Sequence, residues 1–259
     1  MKNKAKKELA VCGFEAVKAL AKIHPEKINR LYFDESHKFD FGEICRTLAS
    51  RKAPYNIVKD AAELEKLCGS VHHQGVVAMI AQPEIMPLTK EITVEWLHKK
   101  ESALILDRVG NANNLGAIVR SAAFFGMKNI VIPMAEQQAS VTTSSYRIAQ
   151  GGMEFVNIYS IYSIPKLLQA MKGKMVSFGT DLKAKKQVSE IAGLCKSKPA
   201  LIVLGNEEHG ISKDVRENCD ELVIIPFAGM GKNMVASVES LNVAQAASVI
   251  LYEWAACLR

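Results

Sequence analysis

The sequence lacks the residue spacings of a metal protein or of a disulfide-stabilised one. Its six cysteines are scattered without any C-x-x-C pair, and its six histidines show no metal-ligand spacing. These absences argue against a structural zinc site and against a disulfide framework. We therefore predict reduced thiols and no metal.

Long hydrophobic runs are also missing. The longest, such as residues 102–106 and 249–251, fall far short of the roughly 18 apolar residues that a helix needs to cross a bilayer. The lysine-rich residues 1–8 are not followed by an apolar segment and a small-residue cleavage site, so they do not have the pattern of a secretion signal. We expect a cytoplasmic protein without a membrane span.

Several common nucleotide-binding and hydrolase motifs are absent. Gly231-Lys232 lacks the earlier glycine and the following Ser or Thr of a Walker loop. Gly229-x-Gly231 lacks the third glycine of a dinucleotide fingerprint, and no G-x-S-x-G elbow occurs. An adenosyl cofactor would therefore need another kind of pocket.

Apolar residues, by contrast, are plentiful. They make up 49% of the 259 residues, which is enough for the cores of one large or two modest domains. Lys and Arg number 33 against 27 Asp and Glu, which gives a formal net charge of +6. A mildly basic chain suits a polyanionic partner, although ordinary solubility explains the same charge, so charge alone leaves both interpretations open.

The first part of the chain has the pattern of a small α/β domain. Short β-branched runs alternate with helical stretches throughout the sequence, which predicts an α/β fold. We place the first domain at residues 1–81. Its first element is predicted to be a helix over residues 8–23 that ends before Pro25.

A second domain follows a predicted linker. Residues 82–101 contain Pro83 and Pro87, lose the strand pattern and include only one short amphipathic segment. From residue 102 to 259 strands and helices alternate again, which predicts a mainly parallel sheet. A long helix over residues 240–256 is predicted to end this domain.

Three polar turns follow predicted strands of the second domain, where open parallel sheets bind ligands. The first lies within residues 106–126, where asparagines and a glycine lead from a strand into a helix. Arg120 projects from this helix. An arginine at this place holds a phosphate with two hydrogen bonds, or else forms an ordinary surface ion pair.

The second turn lies within residues 200–212. Five apolar residues lead into a glycine-bounded acidic turn, where the backbone of Gly205 and Asn206 can hold an adenine or a ribose and Glu207 can accept hydrogen bonds. A plain strand-to-helix turn with Ser212 as the helix N-cap explains the same residues.

The third turn lies within residues 223–251. A glycine-rich loop follows a strand, and Ser240-Leu241-Asn242 opens a helix that is apolar nearly all round and is therefore predicted to be buried. Polar groups at the start of a buried helix are costly unless a ligand or a cap satisfies them. Ser240 as a simple N-cap is the alternative.

Taken in this order, the three segments resemble the signature motifs of the SpoU (TrmH-like) branch of the SPOUT RNA methyltransferases. The matching residues are N-L-G-A-I-x-R-S-A, then L-G-N-E-x-x-G-I-S, then I-P followed by S-L-N-V-A. The first domain is similar to the substrate-binding domain of that family, in G-F-E-A-V-K-A-L from Gly13 and H-H-Q-G-V-V-A from His72. The resemblance covers nearly the whole chain.

This resemblance implies a fold, a cofactor and partners. The fold is a SPOUT methyltransferase domain with a parallel sheet and a C-terminal deep trefoil knot, preceded by a small α/β RNA-binding domain. The implied activity is transfer of a methyl group from S-adenosylmethionine to a ribose 2′-hydroxyl of structured RNA, by a homodimer. Ribosomal RNA is favoured slightly over transfer RNA, because the first domain suits a structured target. A non-catalytic RNA-binding protein that keeps the fold is the alternative.

The resemblance also assigns site residues, motif by motif. The implied catalytic residues are Asn114, Arg120, Glu207, Ser240 and Asn242. The implied cofactor-binding residues are Thr180, Leu204, Gly205, Asn206, Ile225, Pro226 and Leu241. Family reasoning makes Arg120 a base, but a guanidinium with a pKa above about 12 is normally protonated, so a phosphate clamp that stabilises the developing alkoxide remains the other assignment.

One departure from the family pattern lies within the third motif. Relatives pass from Ile-Pro to Ser-Leu-Asn in a few residues, whereas this chain inserts a longer loop, residues 227–238. The loop borders the expected cofactor cleft. We therefore expect it to change the cofactor contact implied for Ile225 or the choice of RNA.

Overall fold

The computed structural model describes residues 8–134, 138–227 and 240–256. These residues form two compact units, one within residues 1–84 together with 141–155, the other within residues 85–140 and 156–259. The strands are β1 (Glu8–Cys12), β2 (Ile28–Asp34), β3 (Tyr55–Val58), β4 (Val76–Ala81), β5 (Met86–Pro87), β6 (Ala103–Asp107), β7 (Asn129–Pro133), β8 (Asn157–Ile161), β9 (Val176–Thr180), β10 (Lys186–Gln187), β11 (Ala200–Gly205) and β12 (Glu221–Ile224). The α-helices are α1 (Phe14–Ile23), α2 (Gly42–Ser50), α3 (Ala61–Cys68), α4 (Lys90–Lys99), α5 (Ala112–Phe125), α6 (Thr143–Ala149), α7 (Ile164–Met171), α8 (Ile191–Cys195), α9 (Lys213–Asn218) and α10 (Val243–Ala255).

The first unit is built on a four-stranded sheet in the order β1-β4-β2-β3. Strand β4 pairs antiparallel with both β1 and β2, and β2 pairs parallel with β3. Strand β4 is buried at five of its six positions, because it lies in the interior of the sheet. Helix α6, from the later segment 141–155, also packs in this unit, against β1.

The helix predicted over residues 8–23 is wrong in its first third. Residues Glu8–Cys12 form strand β1 and pair with β4, and α1 begins only at Phe14. Gly13 separates the two elements with a φ of 98°, a conformation that ends a helix or strand and that favours glycine. A short apolar run fits a buried strand as well as a helix, and here pairing with β4 decides.

The second unit is an eight-stranded sheet in the order β10-β12-β9-β11-β6-β7-β8-β5, and every pair is parallel. The central strands β6 and β11 are buried at every position, as expected for a parallel sheet that is covered on both faces. The predicted α/β fold with a parallel sheet is therefore confirmed. Within the described residues, no helix has both the length and the apolar character needed to cross a membrane.

Part of the segment predicted as a linker has regular structure. Strand β5 pairs with β8, and α4 buries Trp96, whose ring lies 5.7 Å from that of Tyr159. These residues pack on the core of the second unit. The division of the sequence into domains at residues 81 and 102 stays a prediction.

The first unit contains a buried carboxylate without a hydrogen-bond partner in the described part of the chain. The side chain of Glu154 is 1% exposed, and both its oxygens are unsatisfied. The nearest basic groups, Lys27 Nζ and the His24 ring nitrogen Nε2, lie 3.9 and 4.0 Å from Oε2. Burial raises the pKa of Glu154, because the charged form loses its hydration.

Replacing Glu154 by Gln is expected to stabilise the protein at pH 8. A carboxyl whose folded pKa is raised contributes stability below its unfolded pKa and loses that contribution as the pH rises through the folded value. Glutamine is also polar but carries no charge, and a buried carboxylate loses more hydration than a neutral amide, so the gain at pH 8 should be about 1–3 kcal/mol. The gain should shrink at pH 5, where a larger fraction of Glu154 is protonated. Urea unfolding at both pH values measures it, with Glu63→Gln as the control, because Glu63 is exposed in the same unit. A Glu154→Gln protein that is less stable at pH 8 would contradict this account.

Candidate active site

The first polar turn leads from β6 into α5 and places Asn114. Asn111 is the N-cap of α5, and its side chain accepts a hydrogen bond from the Asn113 amide at 2.8 Å. Asn114 is the third residue of the helix, so its side chain lies at the end of the helix that follows the sheet. The helix ends at Gly126, which has a φ of 81°.

The second turn, residues 206–210, closes on itself after β11. Asn206 and Gly210 exchange two backbone hydrogen bonds of 3.1 and 2.8 Å. The side-chain oxygen of Asn206 accepts from the amides of Glu208 and His209, at 2.9 and 3.1 Å. This is the local hydrogen bonding that favours asparagine in turns, and it leaves Glu207 exposed at the tip.

The third turn is completed by the start of α10. The helix begins at Val243, and Asn242 is its N-cap, with the side-chain oxygen accepting from Ala244 N at 2.9 Å. The helix predicted from residue 240 therefore starts three residues later, and Ser240 is not its N-cap. Helix α10 buries one face, which includes Ala247, Ile250 and Leu251, but leaves Val249 and Tyr252 36% and 61% exposed. The prediction that this helix is buried nearly all round is therefore wrong, since apolar side chains also cover its exposed face.

Side chains from the three turns are hydrogen bonded to one another. Asn114 Nδ2 donates to Glu207 Oε1, and Asn242 Nδ2 donates to Asn114 Oδ1 at 3.1 Å. The Asn114 amide therefore donates to the second turn through its nitrogen and accepts from the third turn through its oxygen. The bonds join residues 93 and 128 positions apart in the chain. The structure therefore brings one residue of each motif into a single polar cluster.

Two of the implied catalytic residues lie outside this cluster. Arg120 is exposed on α5, and within the described residues it has no hydrogen bond or ion pair. The alternative interpretation, in which Arg120 forms a surface ion pair, is therefore not supported, because no described carboxylate pairs with it. Ser240 is exposed ahead of the N-cap of α10.

The implied cofactor-binding residues lie at the carboxyl ends of neighbouring strands. Strands β12, β9 and β11 are adjacent and parallel, so their carboxyl ends share one edge of the sheet. Those ends carry the following residues: Thr180 on β9, Leu204 and Gly205 on β11, and Ile225 with Pro226 just after β12. Thr180 Oγ1 donates to the Val203 carbonyl at 3.2 Å.

The remaining cofactor candidates differ in what their side chains do. Asn206 Nδ2 donates to the Arg108 carbonyl at 3.2 Å, so this side-chain amide holds the second turn against the residue that follows β6. Leu241, before α10, is 46% exposed. The inserted loop, apart from Phe227, lies outside the described residues, as do Gly229, Gly231 and Lys232. Within the residues that the structure describes, no group of three or more His, Cys, Asp or Glu side chains could hold a metal ion.

Asp107 and Arg108 belong to this site but were missed in the sequence. Asp107 is buried at the end of β6, and its Oδ2 accepts from Ser212 N at 2.6 Å. Ser212 stands at the N-cap position of α9, but its side chain makes no capping bond. The sequence does contain a signal for them: Asp107 and Arg108, of opposite charge, end an apolar strand. A carboxylate buried there without a cation would be unfavourable, so the neighbouring arginine indicates an ion pair.

Family models match both parts of the chain. The model of the SpoU rRNA Methylase family matches residues 101–252, and the model described as RNA 2′-O ribose methyltransferase substrate binding matches residues 10–86. The chain belongs to the SpoU rRNA methylase family. The resemblance inferred from the three motifs is confirmed.

Two RlmB relatives of this SpoU protein match along nearly their whole length. A 23S rRNA (guanosine-2′-O-)-methyltransferase RlmB of Acinetobacter baylyi is 30% identical, over 93% of this chain and 94% of that protein. The RlmB of Nitrosomonas europaea is 28% identical, over 94% of this chain and 89% of that protein. A solved structure of the SpoU methyltransferase AviRb from Streptomyces viridochromogenes, in complex with AdoMet, has a TM-score of 0.71 at 23% identity and covers 96% and 90% of the two chains.

The family membership confirms the predicted enzyme class. This SpoU protein is an RNA 2′-O-ribose methyltransferase, and its cofactor is S-adenosylmethionine. The alternative of a non-catalytic RNA-binding protein is not favoured, because the motif residues that carry the resemblance are present and three of them form the polar cluster.

Proposed function

We propose that this SpoU enzyme methylates the 2′-hydroxyl of a guanosine in 23S ribosomal RNA, in the cytoplasm. The proposal rests on relatives named for that reaction, which align over both the substrate-binding and the methylase segments. The observation that carries it is the hydrogen-bonded cluster of Asn114, Glu207 and Asn242, which unites the three motifs at one place.

The sheet edge fits S-adenosylmethionine. An adenosyl group needs apolar surface for its ring faces and polar backbone groups for its edges. Phe227 and Leu241 remain 36% and 46% exposed, although both are large apolar side chains. Residues 225–227 lie outside any strand or helix, so their backbone groups are available to a ligand. We assign the cofactor to the residues named above at the ends of β9, β11 and β12, together with Leu241.

The side chains of the cluster orient the ribose. S-adenosylmethionine would supply a methyl carbon bonded to a positively charged sulfur. The 2′-oxygen attacks this carbon in line, and the carbon–sulfur bond breaks to release the neutral thioether. Holding the two reacting atoms in register removes much of the barrier. The Glu207 carboxylate accepts from the Asn114 amide nitrogen, and the Asn242 amide donates to the Asn114 amide oxygen. Together these two bonds fix the orientation of the Asn114 side chain. Ser240, exposed beside Asn242, is assigned to the same ribose.

Arg120 is assigned to the RNA phosphate and to the developing alkoxide. A guanidinium binds phosphate oxygens with two parallel hydrogen bonds, and its charge stabilises the 2′-oxygen as the proton leaves. The exposure of Arg120 and the lack of an ion pair within the described residues support this role.

Mass spectrometry of RNA from a deletion strain tests this function. One 2′-O-methylguanosine of 23S ribosomal RNA should disappear, and the intact gene should restore it. A gene carrying Arg120→Ala should not restore it, because losing one transition-state donor costs about 10²–10³-fold in rate. Loss of a methyl group from transfer RNA instead, or full restoration by Arg120→Ala, would contradict the proposal.

We also propose the knot and the dimer that the resemblance implies. The knot is supported by β12 lying beside β9 and by α10 packing on α5. The dimer is supported by an aromatic face on these two helices, where Phe124 and Tyr252 are 82% and 61% exposed. Phe125 bridges them, with ring centroids 5.0 Å from Phe124 and 6.3 Å from Tyr252. We assign this face to a second copy of the chain.

Replacing Phe124 by Asp is expected to weaken the dimer at least about 10-fold, since a charge would enter a desolvated aromatic contact. Analytical ultracentrifugation over a concentration series measures the dissociation constant. Tyr162→Asp is the control, because Tyr162 is 87% exposed on the same unit but belongs to neither α5 nor α10. An unchanged dimer with Phe124→Asp, or a wild-type protein that is monomeric, would overturn this assignment.

A further inference from the structure

Arg108 has a backbone conformation that its side chain disfavours. It directly follows β6 and has a φ of 62°. The left-handed region is uncommon for residues that carry a Cβ atom. Lys100, Gln150 and Lys196 share this conformation, but each is the C-cap of a helix, where it is ordinary. Arg108 follows a strand, so a helix end does not explain it.

In this conformation both the side chain and the carbonyl of Arg108 bond to the second turn of the active site. Nη2 donates to the Gly210 carbonyl at 3.2 Å, and the Arg108 carbonyl accepts from Asn206 Nδ2 at 3.2 Å. Asn206 and Gly210 are the first and last residues of the turn. Arg108 therefore holds both ends of the five-residue segment that carries Glu207.

Asp107 extends this connection by one further bond. Its Oδ1 accepts from Arg108 Nε at 3.2 Å, and its Oδ2 accepts from Ser212 N at 2.6 Å. The Asp107 side chain is 6% exposed, so the guanidinium also supplies the opposite charge that a buried carboxylate needs. The chain is thus anchored at Asn206, at Gly210 and again at Ser212.

We propose that Arg108 is a positioning residue for methyl transfer. It holds the turn 206–210 so that Glu207 stays bonded to Asn114 and keeps that amide oriented for the ribose. This inference rests on the proposed function, because it assigns Arg108 a role in that reaction through Glu207. The Arg108 guanidinium is engaged by Asp107 and the Gly210 carbonyl, so we assign it a role that acts through the turn and not through contact with the substrate.

An ion pair that merely stabilises the fold is the other explanation, and Arg108→Gly separates the two. Glycine accepts a φ of 62° without strain, so the variant removes the guanidinium while easing the backbone. The buried Asp107 carboxylate loses its cationic partner, so we expect the thermal midpoint to fall, and kcat is compared at a temperature at which both proteins stay folded. The kcat should fall about 10–100-fold with the KM for RNA nearly unchanged, because a misplaced reacting group lowers the rate without weakening binding.

Arg108→Lys provides a second variant in case glycine disturbs folding. Lysine keeps a positive charge beside Asp107 but cannot bond Asp107 and Gly210 through one rigid fork. Partial recovery of kcat relative to Arg108→Gly is expected. Equal kcat in the wild type and in both variants would overturn the inference.

A double-mutant cycle with Glu207→Ala distinguishes positioning through Glu207 from a purely structural role of Arg108. If Arg108 acts through Glu207, adding Arg108→Gly to Glu207→Ala should lower the single-turnover rate little further. Fully additive losses would overturn the inference. A wild-type enzyme that does not methylate ribosomal RNA would instead contradict the proposed function, so the two failures are distinguishable.

Discussion

Replacing Asn114 by Asp is expected to lower kcat for RNA methylation by about 10²–10³-fold, the loss typical when a preorganised polar group of an active site is removed. Asn114 Nδ2 donates to Glu207, and a carboxylate cannot donate. The substitution would instead place two negative charges together and push the second turn away from α5. The bond from Asn242 would remain, because an oxygen at position 114 still accepts it.

The partner substitution Glu207→Gln provides a rescue. In the double variant the glutamine amide donates to the aspartate, so the bond forms again with its direction reversed. We expect at least about a 10-fold recovery of kcat over Asn114→Asp alone, as for other directly coupled pairs. Glu208→Gln is the matched control, because Glu208 lies on the same turn with an 84% exposed side chain and no bond to Asn114. Wild-type kcat in Asn114→Asp would contradict the role of the cluster.

Replacing Gly205 by Ala is expected to lower the affinity for S-adenosylmethionine at least about 10-fold and the free energy of unfolding by about 1–3 kcal/mol. A Cβ atom at Gly205 would lie 2.1 Å from the Gly210 carbonyl carbon and 2.2 Å from Ile211 N. Both are backbone atoms, so the turn 206–210 must open to admit the methyl group. Calorimetry and urea unfolding measure the two effects.

Gly193→Ala is the control for this change. A Cβ atom at Gly193 would meet nothing within 4 Å, and alanine is the better helix former in α8. We expect unchanged cofactor affinity and equal or slightly greater stability. Wild-type affinity in Gly205→Ala would show that the turn does not shape the cofactor site.

The fold was predictable where the sequence pattern is local. The buried strands β6 and β11 are continuous apolar runs ended by polar residues, and the parallel sheet follows from their alternation with helices. Residues 9–12 of β1 are also apolar throughout, but their state depends on pairing with β4. In that strand Val77 lies 65 residues after its partner Cys12, and Ala81 lies 73 residues after its partner Glu8. Such pairing leaves no local signal, so β1 was mistaken for helix.

The site was predictable where motifs carry it. Asn114, Glu207 and Asn242 were assigned through their family motifs, and the structure joins them. The role of Arg108 was not predictable, because its bonds to Asn206 and Gly210 reach across about 100 residues. The start of α10 was misplaced for a different reason: serine and asparagine are both good N-caps, so sequence alone does not choose between Ser240 and Asn242.

The position of the transferred methyl group tests the central claim most directly. Purified enzyme, 23S ribosomal RNA and S-adenosylmethionine labelled in its methyl group are incubated together, and the RNA is then hydrolysed in alkali. Alkaline cleavage needs a free 2′-hydroxyl, so a methylated ribose protects the bond beside it. We expect the label in an alkali-resistant dinucleotide that begins with guanosine. Label in mononucleotides, as a base methylation would give, or no transfer to RNA at all would contradict the account.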